Sequence, residues 1–148
     1  MRITKKELLK DLRKIAKHYD ITSVKFKKLS EEYGGVAHWD GSITVNKSLT
    51  KLKIVCAFFH EIAHQLNRRD GKFLIYHTAS SWSDPSKFAH IRRTALRAER
   101  YTDKRGKKLM KEWMPNLTWD KNMGYTTKDA STFVRMHLDS RLEESEDD

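Results

Sequence analysis

One cysteine, two prolines and no long apolar run set the first limits on this chain. With Cys56 alone, no disulfide can form within it, so support for the fold must come from packing or a bound metal. No stretch approaches the roughly 20 apolar residues of a membrane-spanning helix. Met1-Arg2-Ile3-Thr4-Lys5-Lys6 has no apolar secretory core, and the expected compartment is the cytoplasm. Nothing between Pro85 and Pro115 forbids a continuous helix. Acidic residues are scarce except at the end. Residues 141–148 hold five of them against one arginine, whereas residues 1–140 carry 29 basic and 15 acidic groups, net +14. Such a body suits a nucleic acid, an acidic protein or plain solubility. The expected organisation is one domain over residues 1–140, followed by an acidic, disordered tail over 141–148.

Against these limits stands Phe58-Phe59-His60-Glu61-Ile62-Ala63-His64-Gln65-Leu66, inside an apolar stretch from Leu49 to Leu66. Histidines at i and i+4 share one helical face, so both imidazoles can reach a single zinc ion. Glu61 points about 100° round the helix, where it can meet a water on the open side of the metal. Leu49, Leu52, Cys56 and Ala63 share the histidine side, and Val55, Phe58, Phe59 and Ile62 cover the rest. A helix apolar all round is buried. Buried His60, Glu61 and His64 would be costly without partners, which is the argument for a metal.

The remaining elements predict an α+β protein. Thr4-Lys5-Lys6-Glu7 reads as a capping box, with Ile3 and Leu8 as a staple, for a helix running to about Tyr19. Val24–Lys27 alternates as a strand. Val36–Trp39 and Ser42–Asn46 flank Asp40-Gly41, which predicts a two-residue hairpin. The metal helix should be capped near Ser48 or Thr50 and end at Arg68-Arg69-Asp70-Gly71. A long helix is expected from Pro85 to Trp113, then a loop in which Trp119 and Tyr125 pack on the core. A short helix should follow over residues 128–138.

A catalytic zinc usually takes three protein ligands. On the long helix Glu99 shares a face, within about 40°, with Phe88, Ala95, Gly106, Met110 and Trp113. The opposite face carries Arg93, Arg97, Arg100, Lys104, Lys107, Lys108 and Lys111. A carboxylate on the buried face needs a cation, which is either the metal or Arg92. Asp103, one turn on, is placed to accept the outer N–H of a ligating imidazole. Asp70 is the rival third ligand, because His60-Glu-x-x-His64-x-x-Asn67-x-x-Asp70 follows an extended zincin spacing with Asn67 at the left-handed turn. His90 would face solvent if the helix is continuous, Cys56 suits an ordinary core position, and His38 suits a strand. His77 or Tyr76 could steady an oxyanion.

Taken together, His60-Glu61-Ile62-Ala63-His64 and Glu99-Arg100-Tyr101-Thr102-Asp103 resemble the paired motifs of gluzincin-type zinc metallopeptidases. With the preceding Gly35–Trp39 and Ile43–Asn46 segments, the chain is most similar to the small ImmA/IrrE-type peptidases over about residues 20–115. The resemblance implies a zincin-like half-domain, with a small three-stranded twisted sheet packed on helices and a cleft along its edge strand. It implies Zn2+ held by His60, His64 and Glu99, with Glu61 as general base in peptide hydrolysis. Relatives of this kind cleave DNA-bound repressors in phage and mobile elements, so a DNA-associated regulatory protein is the implied substrate. Two alternatives stand beside it. One is a SprT-like protease of DNA-attached proteins, with the face Arg93, Arg97, Arg100, Lys104, Lys108 and Lys111 tracking nucleic acid. The other is a non-catalytic binding protein with a structural zinc.

Overall fold

The computed structural model describes residues 2–30, 34–72 and 88–120, without the side chains of 88–92. The first helix, α1, spans Lys5–His18. Thr4 forms the expected capping box: its hydroxyl accepts from the Glu7 N–H at 3.2 Å, and the Glu7 carboxylate reaches back to the Thr4 N–H at 3.4 Å. Leu8, Leu12 and Ile15 turn the apolar face into the core, joined by partly buried Ile3 and Tyr19. The chain leaves α1 through Asp20 at φ 56, a left-handed position that Asp tolerates better than most residues. Guanidinium donors of Arg69 bond the Tyr19 and Asp20 carbonyls there, tying the end of one helix to the next.

Three strands follow: β1 (Val24–Lys27), β2 (Gly35–Ala37) and β3 (Ile43–Asn46). Their order is β1-β3-β2, with β1 parallel and β2 antiparallel to the central β3. Val24 and Phe26 are half-buried while Lys25 and Lys27 are exposed, as one-sided alternation requires. Burial of all four β3 residues reflects its central place, flanked on both edges. Asn46 satisfies that burial by accepting from the Leu29 and Ser48 N–H groups and donating to the Ser30 carbonyl.

The β2–β3 connection differs from the two-residue hairpin that Asp40-Gly41 suggests. His38 N–H donates to Ser42 O at 2.9 Å, so Trp39, Asp40 and Gly41 form a three-residue loop. Gly41 takes φ 88, and the Asp40 carboxylate accepts from both the N–H and the hydroxyl of Ser42. That carboxylate replaces the carbonyl a tighter turn would have offered Ser42.

Helix α2 spans Lys51–Arg69, with Thr50 as its N-cap, and α3 runs over Phe88–Trp113. The expected start of α3 at Pro85, the helix near 128–138, Tyr125 and the acidic tail 141–148 lie outside the described residues. Ile54, Val55, Phe58, Phe59 and Ile62 are fully buried, so α2 is the central rod of the core. On one side it packs against the sheet, where Gln65 and Arg68 donate to the His38 carbonyl at 2.7 and 2.6 Å. On the other it packs against α3, and Trp119 closes the core beyond that helix. The described residues form an α+β fold with three helices and a small mixed sheet. None of these helices is long and apolar enough to cross a membrane.

Candidate metal centre

The site lies where α2 and α3 come closest. Gly106 permits the approach: a Cβ there would stand 3.2 Å from the His60 Cα and N and from the Phe59 carbonyl carbon. One turn earlier Asp103 faces α2, and one turn before that Glu99 does. A second tie flanks this contact. Asn67 donates to the Thr102 hydroxyl at 3.0 Å, and Arg105 donates to Asn67 Oδ1 and to Asp70 at 2.8 Å each.

His60, His64 and Glu99 lie together in the structure. Glu99 Oε2 lies 2.8 Å from His60 Nε2 and 3.2 Å from His64 Nε2, with only 3% of the residue exposed. The two imidazoles meet edge to face with centroids 4.7 Å apart. His60 Nδ1 lies 2.7 Å from Asp103 Oδ1, the position expected of a group that orients the ring. Ligand atoms of His60, Glu61 and His64 lie within 4.8 Å of one another, a group that could hold a metal ion. Both carboxylates are therefore candidates for the third position. Glu99 addresses both Nε2 atoms directly, and Glu61 stands beside them.

Electrostatics divides the two glutamates. Burial pushes both upward. For Glu99 the His64 imidazole, and then His60, outweigh burial and hold the carboxyl below its usual range. For Glu61 burial wins, and its carboxyl is raised. Glu99 thus stays an anion suited to a cation, while Glu61 is shifted toward the range of a working base. Burial opposes a charge on His60, but the bonds to Asp103 and Glu99 prevail and raise it well above the ordinary histidine value. A ring with a carboxylate at each nitrogen holds two protons, and a metal at Nε2 would displace one.

Other candidates sit elsewhere. The rival ligand Asp70 is the C-cap of α2, half-exposed and paired with Arg105. The left-handed turn that would aim it at the histidines does not form, because α2 continues as helix through Asn67 to Arg69. Buried Asn67 bonds α3 instead. Cys56 packs with its sulfur 4.0 Å from that of Met110, and His38 bonds the Thr44 hydroxyl at 2.8 Å. His77 and Tyr76 lie outside the described residues, as do the side chains of His90 and Arg92.

Two glycines shape the site in ways that local pattern does not announce. Gly106 falls on the face it shares with Glu99, and a glycine inside a lysine- and arginine-rich helix, about 1 kcal/mol less favourable than alanine there, usually marks close packing. Gly35 on β2 lies under Glu61: a Cβ would come 3.1 Å from the Glu61 Cγ and would strike the Thr44 carbonyl oxygen. No pattern in the sequence connects those two positions. Comparison of the chain with family models, with curated proteins and with solved structures found no match.

Proposed function

We propose that this protein is a zinc metallopeptidase with a zincin-like fold. The observation that carries the reading is the carboxylate of Glu99 within 2.8 and 3.2 Å of two histidine Nε2 atoms, with buried Glu61 beside them. Donor atoms around a tetrahedral zinc, with bonds of about 2.0–2.1 Å, are separated by roughly 3.3 Å. The 3.2 Å separation matches that spacing, and the 2.8 Å one, a hydrogen-bond length, would open by about 0.5 Å around a metal. Two imidazoles and one carboxylate are also a donor set suited to a catalytic zinc.

On this reading His60, His64 and Glu99 hold the metal, and Asp103 fixes the tautomer and angle of His60. Bound zinc would supply Lewis acidity, making water acidic near neutral pH and polarising a carbonyl. Glu61 takes the proton of the attacking water and delivers it to the departing amine. Its raised proton affinity suits a group that must accept and then release a proton. An extended substrate has a docking edge beside Glu61. The β2–β3 register turns the N–H and C=O groups of Gly35 and the N–H of Ala37 to the outer side of the sheet, away from β3, while the Ala37 carbonyl accepts from Arg68 Nη2 at 3.5 Å.

The test is Glu61→Gln in the zinc-loaded protein. Metal content should stay at the wild-type level while hydrolysis of an unstructured protein substrate is lost. Retained hydrolysis would sink the assignment of Glu61. In parallel, Glu99→Ala should lose zinc and Asp70→Ala should keep it.

A further inference from the structure

The outward face of α3 is a line of cations with no acid in it. Arg93, Arg97, Arg100, Lys104, Lys108 and Lys111 are all exposed and fall within about 60° of one direction round the helix. They extend over roughly 27 Å of its length. Of the acids of α3, Glu99 and Asp103 turn to α2, and Glu112 flanks the end of the line, one turn on from Lys108 and about 40° round from it. Arg105, also off the line, is paired with Asp70, whereas none of the six forms an ion pair with another described residue.

We infer that this face binds duplex DNA through its phosphates. Six cations on a rigid rod, none of them ion-paired among the described residues, match the regular, dense negative charge of a duplex and would displace its counterions. Tyr101, the aromatic beside the line, already has the Lys72 ammonium 5.4 Å from its ring centroid, so the face offers no series of rings on which unpaired bases could stack, which favours a duplex over a single strand. Arginine and lysine are the usual partners of phosphate oxygens, and their regular spacing along the rod suits the backbone, so the contact is assigned to phosphates and is independent of sequence. Glu99 and Asp103 face α2 from another side of α3, so this line of cations does not include the candidate metal site. This inference does not rest on the peptidase reading.

The experiment measures binding of a fluorescent 20-bp duplex of mixed sequence to the full chain over 50–200 mM NaCl. With six phosphates neutralised, log K should fall against log salt with a slope of about −5, close to a thousandfold over that range. Replacing Arg97, Arg100 and Lys104 by Gln should cut the slope by about three and weaken binding at least about tenfold. Replacing exposed Lys10, Lys14 and Lys17 of α1 by Gln removes equal charge from another basic face and should have much less effect. Unchanged circular dichroism and metal content certify that both triple variants are folded, and Glu61→Gln should bind DNA as wild type does. Equal losses in the two triple variants, a slope shallower than about −2, or tighter binding of single-stranded DNA would each overturn the inference.

Discussion

His60 and Glu61 are neighbours in sequence with opposite electrostatic tasks, and both can be tested by titration. In metal-free protein the raised proton affinity of His60 contributes stability that is full below the unfolded histidine value and lost as pH rises through the folded one. Lowered Glu99 works the other way: its contribution is present above the ordinary carboxyl range and lost as pH falls well below it. The metal-free chain should therefore be most stable between those limits, and chemical denaturation from pH 4 to 9 should show a maximum inside that window. A metal competes with the proton on His60, so uptake should release protons and weaken as pH falls. Isothermal titration in two buffers of different ionisation enthalpy would reveal that release; none would mean that Nε2 is not a ligand. Asp103→Asn should keep the fold and weaken metal binding about 10–100-fold, as loss of an orienting carboxylate does elsewhere. Raised Glu61 opposes folding at neutral pH, so Glu61→Gln should melt higher than wild type when both are free of metal.

At the level of elements, the site depends on the distance between α2 and α3. Gly106 sets that distance, because a Cβ in its place would press on the backbone of His60 and Phe59, which cannot rotate aside. Gly106→Val should destabilise by about 1–3 kcal/mol through overpacking and should lower metal affinity further than stability alone explains. Denaturant midpoints and metal titration on the same variant separate the two effects; an unchanged affinity would show that helix spacing does not govern the site. The Asn67 tie is a second control. Asn67→Ala leaves Thr102 its bond to the Ala98 carbonyl at 2.6 Å but strips Arg105 of one acceptor, for a loss of about 1–2 kcal/mol. These ties were not legible beforehand, since each joins residues more than 30 positions apart with no shared periodicity. The elements themselves were: the capping box at Thr4, the alternation in Val24–Lys27 and the all-round apolar α2 are local patterns with local causes. Asp40-Gly41 shows the limit of such patterns. It marks a turn correctly, but the turn length depends on which groups bond Ser42.

The described residues share one core, in which α2 is common to the sheet and to α3. Because both histidines stand on that rod, metal binding and global stability should be coupled. A metal bound at 100 times its Kd would add about 2.7 kcal/mol, seen as a rise in Tm that a chelator reverses. A Tm indifferent to metal and chelator would place any bound ion outside the core. Charge belongs to this scale too. The net charge of +10 was plain from composition, but composition could not say whether the cations were dispersed or aligned. A continuous α3 aligns them, and its packing on α2 turns Glu99 and Asp103 away from the line.

By itself the sequence determined the α2 motif, the amphipathic faces of α1 and α3, and the buried side of α3 on which Glu99 and Asp103 lie. Those features follow from the helical period, which fixes neighbours three and four residues apart. The choice between Glu99 and Asp70 beside the histidines was decided only by tertiary structure. Both acids were compatible with a local rule, and the outcome turned on two distant facts: the close crossing at Gly106 and the capture of Asp70 by Arg105. A helix can dictate which side a residue faces; what meets it there is settled by the packing of the chain as a whole.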